Sequence, residues 1–196
     1  GFLGPDVTAA HCTQLNADDI AIMAETNTRI GHCPICNAKL VSGTIPMKMV
    51  CEAGITVGLA TDGPASHNTL DMFQEMKFAA VIHKNHNNDA EFMTTTDILE
   101  MATAGGAAAM NRPETGRLAP GMAADVIVVD LDKTHTAPVY DVAAALVYSS
   151  RADDVRWTIA DGTVLLDDGE VVGIDEAEVR REFRQRAHAL KQRVFD

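Results

Sequence analysis

The sequence predicts an α/β fold in which a parallel sheet with helices precedes a smaller β-rich part. Three short apolar segments alternate with helical patterns in the first 60 residues or so. That alternation is typical of parallel βαβ units in a barrel or a doubly wound sheet. Beyond about residue 110 a Gly- and Pro-rich connector leads to closely spaced strands with hairpin turns. We therefore divide the chain into residues 1–112 and residues 113–196.

The elements of the first part follow from apolar periodicity and from residues that cap helices. Asn16 precedes two acids and a helical pattern, so it is expected to cap a helix. Gly54 is expected to end the helical segment 45–53. The remaining assignments are strands at 7–12, 28–33 and 55–60, a loop at 34–43, a helix at 70–84, and one continuous helix up to Met110, capped by Thr95 or Thr96 and weakened at Gly105 and Gly106.

The second part contains a strand, a short helix, two hairpins and a terminal helix. Residues 125–131 hold four consecutive apolar residues between two acids and predict a buried strand, and residues 139–150 predict the short helix. Asp161-Gly162 and Asp168-Gly169 are the dipeptides preferred in two-residue hairpin turns. The tail from Asp175 begins with an Asp-x-x-Glu pattern and predicts a capped helix.

Composition excludes several classes of protein. Lys and Arg total 16 against 28 acids, so the net charge of −12 argues against a nucleic-acid surface. The basic cluster at 180–193 is interleaved with apolar residues and indicates one charged face of a helix. No apolar run approaches the roughly 20 residues that span a bilayer. Four cysteines are too few for a secreted disulfide scaffold, so we expect a cytoplasmic protein.

Polar residues stand where the three predicted parallel strands end: His11, His32 and Asp62. In a (β/α) barrel, the chemistry lies at the carboxyl ends of the strands. Neutral imidazole and carboxylate are ligands suited to zinc or iron, and a bound metal activates water. The alternative is a structural histidine and a turn-forming aspartate, and the pattern alone leaves it open.

Four sequence segments indicate a function more specifically than the polar residues at the strand ends do. "AAHC", "IGHCPICNAKL", "AGITVGLATDGPASHNTLDMF" and "TGRLAPGMAADVIVVDL", in this order, resemble the C-terminal half of the amidohydrolase superfamily. They are most similar to the branch that holds 5-methylthioadenosine/S-adenosylhomocysteine deaminases and triazine chlorohydrolases. The resemblance implies strands six to eight of a TIM (β/α)8 barrel, followed by part of a small β-sandwich domain.

The resemblance also implies roles for individual residues. Asp62 would be a metal ligand that relays a proton from the attacking water, and His11 would lie close to the metal and assist catalysis. His32 would shape the pocket, while Ser66 and Asn68 would border the substrate. Zinc is the expected metal, with iron as the alternative.

The implied activity is hydrolysis by a metal-activated water, acting on an amino-substituted purine or another nitrogen heterocycle. Deamination would break a C–N bond, and dechlorination, the alternative, would break a C–Cl bond. The family's "HxH" pair, its fifth-strand histidine and its nearby acid have no counterpart here, so we expect a fragment of the parent enzyme that is inactive alone. A homo-oligomer or a complementing N-terminal half would complete it. The alternative is a non-catalytic remnant that dimerises or binds a partner.

Two further groups of residues are weaker candidates. Cys33-Pro-Ile-Cys36 could form a zinc knuckle with another cysteine, or a redox pair, but a single C-x-x-C is a weak signal. His83 and His86 lack the spacing of a metal motif, and we expect them at the solvent-exposed end of a helix.

Overall fold

The computed structural model describes residues 1–195, and its first part is built on a parallel three-stranded sheet. The strands are β1 (Thr8–Ala10), β2 (Arg29–His32) and β3 (Val57–Leu59), and β2 lies in the middle. Ala10 pairs with Gly31, which in turn pairs with Gly58, so the strands end at nearly the same level. All three predicted strands are confirmed, and their carboxyl ends meet at one edge.

Helices alternate with these strands, and several of their ends are set by the residues expected to set them. Oδ1 of Asn16 accepts hydrogen bonds from the backbone N–H groups of Asp18 and Asp19, which confirms the predicted cap. Gly54 takes a left-handed φ of +70° after a helix, as expected. The helices are α1 (Ala17–Glu25), α2 (Pro34–Lys39), α3 (Met47–Glu52), α4 (Pro64–His67), α5 (Met72–Asn87), α6 (Thr95–Ala102) and α7 (Ala104–Ala109).

The structure corrects two of the predicted elements. Residues 34–43, expected to be a loop, contain α2, which starts at Pro34. Proline suits the first position of a helix because the N–H groups of the first turn have no partner within the helix, so its missing N–H costs nothing there. The predicted continuous helix is two helices that meet at Thr103, whose backbone is not helical. Thr94, not Thr95 or Thr96, caps the first of them through a capping box with Asp97.

Glycines bring α7 against β3. A Cβ atom on Gly58 would lie 2.9 Å from Cα of Gly106 and from Cβ of Ala109, and one on Gly105 would lie 2.6 Å from the carbonyl oxygen of Val57. Gly105 and Gly106 therefore allow the backbones of α7 and β3 to approach closely. They also have low helix propensity, as expected.

The second part is an antiparallel sheet of four strands in sequence order. Asp161 and Gly162 both take left-handed backbone angles, as do Asp168 and Gly169, and both predicted hairpins are confirmed. The first strand is less buried than expected, since Ile127 is 52% exposed. The strands are β4 (Val126–Val129), β5 (Val155–Ala160), β6 (Thr163–Asp167) and β7 (Glu170–Val171).

Between β4 and β5 the chain returns to the first part. The short helix α8 (Val142–Ala144) continues as a π-helical turn, Ala145–Ser149, and is followed by a 3₁₀ turn, Ala152–Asp154. Val147 in the π-helical turn is fully buried and belongs to the same core as the parallel sheet and its helices. The principal buried members of that core are Ile20, Met23, Ile30, Ile45, Met47, Val50, Val57, Leu59, Phe73, Met76, Ile98 and Met101.

The chain ends in helix α9 (Glu176–Phe195). The Asp-x-x-Glu start is present, since Oδ1 of Asp175 accepts a hydrogen bond of 2.9 Å from the backbone N–H of Glu178. None of the twenty residues of α9 is buried. Among residues 1–195, no helix combines the length and apolar character needed to cross a membrane.

Candidate metal centre

His11 and Asp62 lie where β1 and β3 end, on either side of the central strand. Both take left-handed backbone angles, with φ of +68° and +63°. Such angles are uncommon outside glycine and concentrate at functional sites. The turns direct the two side chains toward each other, and Nε2 of His11 lies 3.9 Å from Oδ2 of Asp62. Both side chains are partly exposed, so solvent reaches the space between them.

The Asp62 carboxylate accepts three hydrogen bonds. Oδ2 accepts from Sγ of Cys36 at 2.9 Å and from Oγ of Ser66 at 2.8 Å, and Oδ1 accepts from the backbone N–H of Gly63 at 2.6 Å. The Cys36 thiol, then the Ser66 hydroxyl and the Gly63 N–H, lower the pKa of Asp62 to about 2. Asp62 is therefore an anion at neutral pH, in the form that binds a cation.

His11 is oriented by Asn37. Nδ1 of His11 lies 2.8 Å from Oδ1 of Asn37, which is buried in α2. An amide oxygen only accepts hydrogen bonds, so Nδ1 of a neutral His11 carries the proton and Nε2 keeps its lone pair. That lone pair belongs to the nitrogen that faces Asp62. A metal-ligating histidine is held in the same way by an acceptor on its second nitrogen.

Cys36 joins these two residues to form a cluster of three donors. One ligand atom each of His11, Cys36 and Asp62 lies within 4.8 Å of the others. Nitrogen, sulfur and oxygen are all zinc ligands, so the chemistry of the cluster suits a divalent metal. We expected Cys36 to have at most a structural or redox role. Recognising Pro34 as the first residue of a helix would have placed Cys36 at this edge of the sheet.

The other predicted site residues are divided between the cluster and its surroundings. Ser66 contacts Asp62, as described above. Asn68 is exposed in the loop after α4, where its Oδ1 accepts a hydrogen bond from Nζ of Lys39. His32 is not part of the cluster: it is almost completely buried, with Nε2 placed 2.8 Å from Nε2 of His83. His83 was expected at the surface, and that expectation is wrong, because it is completely buried.

A second buried polar pair, missed in the sequence, joins the end of α4 to α5. Nε2 of His67 is 3.0 Å from Oε1 of Glu75, and both side chains are almost completely buried. Nδ1 of His67 accepts from the backbone N–H groups of Thr69 and Leu70, so Nε2 carries the proton. Burial raises the pKa of Glu75 to about 7, and its Oε2 accepts the N–H of Ile35, next to Cys36.

Curated proteins that are similar to the chain in sequence are deaminases. The chain is 46% identical over 194 residues to a 5′-deoxyadenosine deaminase of Methanosarcina mazei, in a match that covers 99% of this chain and 45% of the relative. It is 44% identical, with the same coverage, to a 5-methylthioadenosine/S-adenosylhomocysteine deaminase of Halobacterium salinarum. The chain thus spans about half the length of these relatives.

Two solved structures and a family profile are also similar to the chain. The structure matches an adenosine deaminase of Xanthomonas campestris with bound zinc at a TM-score of 0.95 and 33% identity, over 98% of this chain and 44% of that one. It matches the zinc complex of an atrazine chlorohydrolase of Arthrobacter aurescens at a TM-score of 0.85 and 27% identity, over 91% and 40% of the two chains. Residues 1–165 match the profile of the Amidohydrolase family. The chain is a member of the amidohydrolase family.

Proposed function

We propose that this chain supplies Asp62 and His11 to the divalent-metal centre of a hydrolase that removes the amino group of an adenosine-type nucleoside. The observation that carries the proposal is the convergence of an ionised carboxylate and an imidazole lone pair at one edge of a parallel sheet. Deamination is favoured over dechlorination because the curated deaminases are 46% and 44% identical to the chain, whereas the triazine-hydrolysing structure is 27% identical.

The proposed chemistry assigns a task to each residue. A bound metal supplies a Lewis acid that lowers the pKa of its water. Asp62 would hold the ion and would take the proton that the attacking water loses. His11 presents the lone pair of Nε2 to the same space, and with a full ligand set that lone pair accepts a hydrogen bond from the water. Ser66, hydrogen-bonded to Asp62, holds the carboxylate in place.

Zinc is the metal that we propose, with iron as the alternative. Both neighbouring structures named above contain zinc. The donor set of this chain includes a thiol, and sulfur, imidazole nitrogen and carboxylate oxygen are each ligands of zinc. We further propose that Asn68 and His32 shape the substrate side, Asn68 at the rim and His32 by supporting the floor.

We retain three proposals about architecture. The parallel strands β1, β2 and β3 would be the sixth, seventh and eighth strands of a (β/α)8 barrel, and the antiparallel sheet would be part of a β-sandwich. The division at residues 112 and 113 falls in the connector between α7 and β4. Consecutive pairing in chain order is what neighbouring barrel strands require.

The remaining metal ligands would come from a segment equivalent to the part of the relatives that this chain does not span. Within residues 1–195, β1 and β3 each have one edge that pairs with no strand. Open strand edges template pairing with another chain or segment. We propose that a complementing segment covers these edges, and that self-association is the substitute when it is absent.

A chimera tests the function. The matched segment of the Methanosarcina mazei 5′-deoxyadenosine deaminase would be replaced by this chain, and ammonia release from 5′-deoxyadenosine would be measured with added zinc. We expect activity in the chimera, a loss of at least about a thousandfold in Asp62→Asn, and none from this chain alone. The control is Asp89→Asn, an exposed aspartate beyond α5. A folded, zinc-loaded chimera without activity, or activity that survives Asp62→Asn, would contradict the proposal and favour a non-catalytic module.

A further inference from the structure

We propose that Cys36 is a metal ligand, and that His11, Cys36 and Asp62 form a nitrogen, sulfur and oxygen site that binds a thiophilic divalent cation within this chain. The proposal rests on the proposed function for the roles of His11 and Asp62. It adds a soft donor to them, so that this chain would bind a metal ion even though we expect it to be inactive alone.

The spacing of the donor atoms suits one ion. In a tetrahedral zinc site with ordinary bond lengths, a sulfur and an oxygen are about 3.6 Å apart, and a nitrogen and an oxygen about 3.4 Å. Here Sγ of Cys36 lies 2.9 Å from Oδ2 of Asp62, and Nε2 of His11 lies 3.9 Å from the same oxygen. For these two pairs, placing a cation between the atoms therefore requires shifts below about an ångström. The third pair, Sγ of Cys36 and the ligand nitrogen of His11, lies within 4.8 Å. Rotation of the partly exposed His11 and Asp62 side chains can supply such shifts.

One helical turn fixes two of the three donors. Cys36 and Asn37 are consecutive buried residues of α2, which starts directly after β2. Cys36 presents its sulfur to Asp62, while Asn37 holds His11 in the tautomer whose Nε2 is free. Donors held by buried backbone lose little freedom when an ion binds, and this favours affinity.

The charge and softness of the cluster select the cation. On binding, the S–H bond of Cys36 is replaced by a sulfur–metal bond, and the proton leaves to solvent. Thiolate and carboxylate then carry two negative charges, which a divalent ion neutralises beside a neutral imidazole. A thiolate favours Zn²⁺, Co²⁺ or Cd²⁺ over Mg²⁺ and Ca²⁺, which prefer oxygen ligands alone.

Cys33 provides a matched control from the same C-x-x-C. It is buried like Cys36, but its Sγ is directed at the carbonyl oxygen of Gly31, 3.8 Å away. It has no place in the donor cluster. If metal binding requires a thiol at this position, replacing Cys36 should weaken it and replacing Cys33 should not.

The experiment is a cobalt titration of the metal-free 196-residue chain, followed by absorption spectroscopy. We expect one equivalent of Co²⁺ to produce visible d–d bands together with a near-ultraviolet thiolate-to-cobalt charge-transfer band. The charge-transfer band should disappear in Cys36→Ser and Cys36→Ala, with affinity lower by about tenfold or more. It should persist in Cys33→Ala. Circular dichroism establishes that each variant is folded.

The outcomes separate this inference from the proposed function. Visible bands without a charge-transfer band in the folded parent chain would overturn the role of Cys36 and leave Asp62 and His11 as metal residues. Charge transfer that survives in both Cys36 variants would overturn it as well. No cobalt binding by the folded chain would show that His11, Cys36 and Asp62 do not suffice to bind a cation, and would also overturn the inference. An Asp62→Asn chain that binds cobalt unchanged would count against the proposed function itself.

Discussion

Nε2 of His32 and Nε2 of His83 lie 2.8 Å apart in the core, so one ring donates a hydrogen bond and the other accepts it. Burial, followed by repulsion from the neighbouring histidines, lowers the pKa of His32 to about 3, and burial lowers that of His83 to about 4. Both values are below the ordinary 6.5. The pair is thus uncharged at neutral pH.

This pair predicts acid sensitivity. Below pH 6.5 the unfolded chain takes up protons at both histidines, whereas the folded chain does so only near pH 3 to 4. The free energy of unfolding should therefore fall as pH is lowered from 6.5 toward 4, by up to about 1.4 kcal/mol per pH unit for each histidine. Urea titrations at several pH values measure the slope. His83→Gln should reduce it, and the exposed His188→Gln should not; equal slopes in both variants would refute the assignment.

Glu75 predicts the opposite pH dependence. Its folded pKa of about 7 is above the ordinary 4.5, so its contribution to stability is complete below pH 4.5 and is lost as pH rises through 7. Glu75→Gln should remove this loss, and the variant should gain roughly 3 kcal/mol relative to the parent between pH 4.5 and 8. The measurement is the difference in unfolding free energy at the two pH values.

The control for this prediction is the exposed Glu25→Gln, which should keep the pH dependence of the parent chain. If the unfolding free energy changed by the same amount between the two pH values in the parent and in Glu75→Gln, the raised pKa of Glu75 would be excluded.

Asn37 is predicted to act through His11. In Asn37→Ala the Nδ1 proton of His11 loses its acceptor, the ring is free to rotate, and metal affinity should fall by about 10- to 100-fold. Asn37→Asp keeps an acceptor oxygen and should lose much less. Competition with a chromophoric chelator measures the affinity. The exposed Asn85→Ala in α5 should behave as the parent, and equal affinities for the Ala and Asp variants would remove the orienting role.

Gly58 predicts a packing limit. A methyl group in Gly58→Ala would meet Gly106 and Ala109 at 2.9 Å, and should destabilise the chain by about 1–3 kcal/mol because β3 and α7 must separate. Gly31→Ala in the adjacent strand is the matched control, since its new methyl group would meet nothing closer than 3.8 Å. Thermal or urea unfolding compares the two. Similar stability losses would show that the close approach is not limiting.

The strands, most helices and both hairpins could be predicted because each has a local cause. Asn16 caps a helix through its own side chain, and Asp161-Gly162 takes angles that few other dipeptides adopt. The strand ends also placed His11 and Asp62 at one edge of the sheet. What these residues contact depends on neighbours far along the chain, which periodicity does not reveal.

The failures have tertiary causes. Cys36 lies 26 residues from Asp62, and their contact exists because α2 turns back over the end of the sheet. His83 resembles a surface residue at a helix end, yet its partner His32 is 51 residues away. The apolar run Val126–Val129 predicts a buried strand, but Ile127 and Val128, which point to opposite faces of β4, are 52% and 44% exposed. In each case burial was decided by packing between distant elements.

Helix α9 has a consequence for how the chain is cut. Its twenty residues bury no side chain, and its ion pairs are internal, such as Glu182 with Arg186. A helix that buries no side chain gains little stability from tertiary packing, so it opens more readily than the buried elements. Trypsin cleaves after Arg and Lys, and α9 carries several of them between Arg180 and Arg193. Limited digestion should cleave the chain here first, leaving a resistant fragment that still contains both sheets and the residues His11, Cys36 and Asp62.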